Sequence, residues 1–197
     1  FCLNQKIQHF EFNTETRCQL FDIYVESVIS YGSEIWGFHK SPYLERLHLL
    51  FCKDVLGVRR NVCNYMIYSE LGRCPLIKQR KLKIMKYWCK LLKVENCILK
   101  SSCEYLRLDA ENRVSSCMNW ARDVKRELFS LGLGEFWIKQ EFINVPLFLT
   151  VYKSRIWDIH IHECHSFFEN SGKCSLYKHF VNHDFGIMQP YLKKTQY

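Results

Sequence analysis

The 197-residue sequence lacks a C-x-x-C pair, a long apolar run, any extended stretch that alternates with period two, and any internal repeat or low-complexity tract. Each absence closes off a class of protein. Without C-x-x-C the commonest zinc and dithiol signatures are gone. The greasiest window, Val145 to Tyr152, runs at once into Lys153 and Arg155, so no membrane span is expected. With no period-two pattern, nothing predicts a sheet. The chain opens at Phe1 rather than Met, which points to a piece of something longer. Its first stretch has no basic segment ahead of a continuous apolar run, so no signal peptide is expected.

What is present begins with apolar content. At 48% hydrophobic residues the chain can fill a core. The eleven cysteines are an odd number spread among many aromatics and large aliphatics, unlike the stapled framework of a small secreted domain. They read as reduced, mostly buried thiols, and the protein is expected to be intracellular, in cytoplasm and nucleus. Charge is more informative once it is placed. Residues 73 to 100 carry nine Lys or Arg (Arg73, Lys78, Arg80, Lys81, Lys83, Lys86, Lys90, Lys93 and Lys100) against the single acid Glu95, a local balance equal to the +8 of the whole chain. An excess focused on one segment suggests a polyanionic partner, although many amphipathic helices carry lysines only as a solvated face.

Apolar spacing predicts an all-α chain. From Asn13 or Thr14, which can cap, the residues Leu20, Phe21, Tyr24, Val25, Val28 and Ile29 recur at helical intervals up to Gly32. Ser41 and Pro42 open a second helix with Leu44, Leu47, Phe51 and Val55, ending at Gly57. A short helix is expected over 64–71, stopping at Gly72. Pro75 opens a fourth, in which Ile77, Ile84, Met85, Trp88, Leu91 and Leu92 form one stripe and Lys83, Lys86, Lys90 and Lys93 another. Residues 96–113, rich in Asn, Ser and Cys, read as a looser stretch with a soft boundary near 105. Ser116 is expected to cap a helix with Trp120, Val124, Leu128 and Leu131, and Pro146 to open one running towards Ser171-Gly172.

Between the first two helices lies "YGSEIWGF", residues 31–38. Gly32 sits where a residue of positive φ is needed, Gly37 lets the chain re-enter the fold without a side-chain clash, and Trp36 and Ile35 are the expected anchors. Glu34 is the one titratable group there, with no second acid, base or ligand beside it, so the turn reads as architecture. His160, His162, Cys164, His165, Cys174, His179 and His183 invite a zinc reading. Nine residues between the two cysteines is long for a zinc knuckle, and a histidine-rich polar helix face is the better expectation. No local signature frames any cysteine as a nucleophile.

Four stretches, "LFDIYVESVISYGSEIWGF", "LERLHLLFCKDVLGVRR", "NYMIYSELGRCPL" and "KIMKYWCKLL", follow one another at close spacing. In that order they resemble the region just downstream of the reverse transcriptase palm in polyproteins of animal non-LTR retrotransposons, the LINE-type transposable elements. The later "IWDIHIHECHSFFENSGKCSLYKHF" and "MQPYL" resemble that family's terminal stretch. The resemblance covers 17–93 closely and runs more loosely from 115 onward.

That family implies an endonuclease, an RNA-directed DNA polymerase and a cysteine-histidine element in one polyprotein. Polymerase chemistry needs carboxylates that hold two magnesium ions, usually an Asp-Asp turn, and no Asp-Asp pair occurs in this sequence. The resemblance therefore implies the thumb and helical connector, without a palm. A thumb-like helical domain is expected over 1–105 and a helical connector over 106–197, inactive as an enzyme alone. No catalytic residue, metal ligand or cofactor is assigned to this chain, while Mg2+ is implied for the parent polymerase. The expected contacts are to template and primer backbones, through Lys78, Arg80, Lys81, Lys83, Lys86, Lys90 and Lys93, with Arg59, Arg60 and Arg73 after helix ends as phosphate forks. The other partner implied is the remainder of the polyprotein. The alternative is a domesticated or decayed helical module that contacts another protein.

Overall fold

A computed structural model of the chain describes residues 12–112, 119–141, 144–174, 176–180 and 186–193. The fold is all-α, and no strand occurs among the described residues. Asn13 caps α1 (Thr14–Leu20) by accepting from the Thr16 amide at 2.8 Å. The helix continues through a π-helical segment (Phe21–Glu26) into α2 (Ser27–Ile29). There follow α3 (Ser33–Trp36), α4 (Pro42–Val55), α5 (Asn64–Leu71) and α6 (Leu76–Leu91). The rest comprises α7 (Cys97–Asn112), α8 (Trp120–Ser130), α9 (Gly134–Lys139) and α10 (Val145–Asn170), then a 3-10 turn (Gly172–Cys174), α11 (Tyr177–Phe180) and α12 (Pro190–Lys193).

The punctuation follows the sequence closely. Gly32 has φ +65°, and α5 ends at Gly72 with φ +61°, a left-handed conformation that side chains with a Cβ resist. Gly37 is needed for space: a Cβ there would stand 2.3 Å from the Ser33 carbonyl oxygen and 3.1 Å from Arg80 Cβ. Trp36 is half-buried in this turn, but Ile35, expected as an anchor, is exposed. Pro42 occupies the first turn of α4, whereas Ser41 makes no side-chain capping bond.

Two expectations are corrected. Residues 97–112 are helical, not loose, because Asn96 accepts from the amides of Ile98 and Leu99 at 3.1 and 3.2 Å and Arg107 pairs with Glu104 and Glu111 along the same helix. The apolar side of α7 then buries Ala110 and half-buries Leu106. Packing and capping outweigh the modest helix preference of Ser, Cys and Asn. Ser116 lies outside the described residues, and the cap of α8 is Asn119, whose Oδ1 accepts from Ala121 at 2.8 Å and Arg122 at 3.2 Å. Its Nδ2 also donates to the Leu106 carbonyl at 3.0 Å. Asn119 is buried, so Asn119→Ala is expected to cost about 2 kcal/mol, a lost cap plus a stranded carbonyl. Asn119→Ser should recover about half of that, as it keeps an acceptor for the amides. Urea denaturation of the three proteins checks this, and a loss under about 0.5 kcal/mol in the alanine variant would mean that the cap contributes little.

The chain forms two compact units whose segments interleave. One gathers the described residues of Phe1–Tyr31, Ser41–Leu76 and His160–Tyr197; the other takes those of Gly32–Lys40 and Ile77–Ile159. Residue 105, where composition placed a boundary, lies within α7. The first unit has a core of Cys18, Phe21, Phe51, Cys52, Val55, Ile67 and Leu71 and a second cluster around Cys164, Phe168 and Cys174. The core of the second is built on Ile84, Met85, Trp88, Val124, Leu128, Trp137, Phe148 and Tyr152. Six of the nine described cysteines are buried and none of the nine is in a disulfide. Burial pushes Cys52 and Cys89 up to about 12, which leaves them inert as nucleophiles at neutral pH.

Candidate nucleic-acid interface

In the second unit, α6 turns Ile84, Met85, Trp88 and Cys89 into the core, where Trp88 stacks on Trp137 at a centroid distance of 6.3 Å. Steps of three and four residues then put Lys83, Lys86, Lys90 and Lys93 on the opposite side. Lys86, Lys90 and Lys93 are exposed and Lys83 is half-buried. At 1.5 Å per residue, Lys83 and Lys90 stand about 10 Å apart along the axis, and Lys93 follows in the closing turn. A span of that order matches about three successive phosphates of one strand.

The other cations expected on this surface divide sharply. Arg80 is fully buried, with its guanidinium over the Trp36 ring at 5.4 Å, so it fastens α6 to the turn and is not presented to solvent. Lys81 is half-buried and donates to Glu127 at 2.7 Å. Lys78 is half-buried. Arg59 and Arg60 are exposed, at a turn held by buried Lys53, which donates to the Arg60 carbonyl at 2.7 Å; both belong to the first unit.

Arg73 departs furthest from its expected role. Its side chain is 10% exposed and makes a two-pronged ion pair with Asp22, one prong at 3.1 Å. Its Nε donates to Nε2 of His48 at 3.0 Å, and its guanidinium lies 5.7 Å from the Phe21 ring centroid. His48 is fully buried, stacked on Phe21 at 5.4 Å. Burial, reinforced by the Arg73 cation, lowers its pKa to about 3. The imidazole is thus neutral, an acceptor for Arg73, and the guanidinium is consumed inside the first unit. A structural node replaces the expected phosphate fork.

Sequence reasoning missed His48 and Asp22, although a signal existed. His48 falls between Leu44 and Phe51 and Cys52 at helical spacing, so it occupies a core position and needs a buried partner. The histidine-cysteine segment also resolves into packing. His160 is buried rather than part of a polar face, with Nε2 3.7 Å from Cys164 Sγ, while His162 and His179 are exposed and His165 is half-buried. His183 lies outside the described residues. Among the described residues no three His, Cys, Asp or Glu side chains gather as a metal site, and no helix is long and apolar enough to cross a membrane. Compared with known proteins, the chain matches no family model, no curated protein and no solved structure.

Proposed function

We propose that this chain is the thumb and connector part of a non-LTR retrotransposon reverse transcriptase, and that it grips the template–primer backbone without carrying the catalytic metals. The observation that carries the reading is the row Lys83, Lys86, Lys90 and Lys93, exposed or half-exposed on a helix whose other side is core. Lysines set on a rigid support contact phosphates through charge and read no sequence, which suits a polymerase that must travel. The resemblance of the four motif stretches supplies the family. Magnesium belongs, in this reading, to the palm of the parent polyprotein. Arg59 and Arg60 remain candidates for further phosphate contacts.

A second reading has its own observation. Ile23, Tyr24, Val28 and Tyr31 are each more than 60% exposed, an apolar surface that suits a protein partner. It fits either the remainder of the polyprotein or, in the rival reading, the target of a domesticated interaction module.

The discriminating experiment changes Lys83, Lys86, Lys90 and Lys93 together to glutamine and measures anisotropy of an RNA–DNA duplex across about 50–200 mM salt. The slope of log affinity against log salt is expected to fall by about one for each lost contact, up to about four in all, with little dependence on sequence. Because the substituted positions lie off the core, the melting temperature should stay within a few degrees. Equal slopes for the two proteins would leave the lysines as a solvated face and favour the rival reading.

A further inference from the structure

The second unit also contains a cavity of about 590 Å³ that plays no part in the proposed phosphate grip, since none of the four lysines lines it. Its walls are mainly aromatic and aliphatic: Tyr87, Trp88 and Leu106, with Trp120 and Trp137 from α8 and α9. A volume of this size lies within the range that holds small molecules, about 300–1,000 Å³. The lining carries Lys100, Arg107 and Lys139 against one acid, Glu104.

These charges are not equivalent. Arg107 is shared between Glu104 at 2.6 Å and Glu111 at 3.3 Å, and Lys139 pairs with Glu135 at 3.3 Å. Lys100 has no ion-pair partner among the described residues, so the lining offers one uncompensated cation beside an apolar interior. The two tryptophans differ as well. Trp120 donates its indole N–H to the Glu34 carbonyl at 2.8 Å. The Trp137 indole, 3% exposed, forms part of the wall, and its N–H has no acceptor among the described residues.

We infer that this cavity is a binding site for a small aromatic or aliphatic carboxylate, its apolar body among Trp88, Trp120 and Trp137 and its anion directed to Lys100. An uncharged body would gain the apolar contact but leave Lys100 unused. A cationic one would place like charge beside Lys100, Arg107 and Lys139.

The test uses the full chain and two probes of one shape, 2-naphthoate and 2-naphthylmethylamine, titrated by calorimetry and by the indole N–H signals of the five tryptophans. Naphthoate is expected to bind one per chain, at least tenfold tighter than the amine, and to move the Trp137 signal most. Lys100→Gln should weaken naphthoate about fivefold or more while the amine binds no more weakly than before, since a like charge is removed, with no loss of thermal stability. Cys103→Phe, which fills part of the cavity from a half-buried lining position, should abolish both. Should that variant fail to fold, the Lys100 variant and the Trp137 signal still decide. Equal affinity for the two probes, no binding up to millimolar concentration, or shifts confined to tryptophans other than Trp88, Trp120 and Trp137 would each overturn the assignment. A duplex bound at the lysine row should not displace naphthoate, so the two sites stand or fall separately.

Discussion

Replacing His48 by glutamine is expected to remove a steep acid sensitivity from the protein. In the native state His48 stays neutral down to about 3, because its ring is fully buried and faces the Arg73 cation. In the unfolded chain it takes up a proton at its ordinary value near 6.5. Its contribution to stability is therefore complete above about pH 6.5 and is lost as pH falls towards 3, at about 1.4 kcal/mol per pH unit. By the lower end of that window the loss is on the order of 5 kcal/mol, comparable with the whole stability of many domains. Glutamine keeps an acceptor for Arg73 Nε but does not titrate. The variant should be less stable at pH 7, because it gives up the stack on Phe21 and the contact with Tyr68. The gap should close as the buffer is acidified, since only the wild type pays for the histidine proton. Urea midpoints of both proteins between about pH 7 and 4 make the comparison, and carboxylates common to both cancel in the difference. A gap that stays constant over that range would show that His48 is accessible to protons in the folded state.

Arg73→Met should cost about 3 kcal/mol. Methionine retains an unbranched apolar stem, so the change removes the charge and the donors with little change of volume. Three things are lost together: the ion pair to Asp22, the donor to His48 and the cation over Phe21. Buried pairs broken from one side lose about 3–5 kcal/mol, and the lower end applies because Asp22 is 43% exposed and regains water. Asp22→Asn alone should cost less, about 1 kcal/mol, as an exposed carboxylate is the weaker half of the pair. The double variant should lose less than the sum of the two single losses, by an interaction of about 0.5–1 kcal/mol. The same variants distinguish a structural from a binding role for Arg73. If Arg73→Met were as stable as the wild type but bound an RNA–DNA duplex with a shallower salt slope, the arginine would be a phosphate contact after all. The expected result is the reverse, a large loss of stability with an unchanged slope at temperatures where the variant is folded.

These two residues mark where sequence reading reaches its limit. Which segments are helical was legible because the determinants are local. Asn13, Pro42, Gly32 and Gly72 act on amides and carbonyls within a turn of themselves, and apolar residues three and four apart share a face wherever the helix is placed. For the same reason the row of Lys83, Lys86, Lys90 and Lys93 opposite Ile84, Met85 and Trp88 followed from spacing alone. The helix over 97–112 was overlooked although its signals are local too: Ser101, Ser102 and the cysteines masked the Asn96 cap, the strong helix formers Leu99, Leu106 and Ala110, and Arg107 placed three and four residues from Glu104 and Glu111.

The fate of each cation was likewise beyond the sequence. Lys81, Arg80 and Arg73 look like their neighbours in a basic segment, but their partners Glu127, Trp36 and Asp22 lie about 40 to 50 residues away along the chain. Burial of a charge is decided by whether such a partner arrives with the right geometry, since an unpaired one would be driven back to water. Local pattern thus determined the helices and the face that carries the lysines. Only the tertiary structure decided which charges remain on the surface and which are spent inside, because that choice depends on distant groups meeting at hydrogen-bond range.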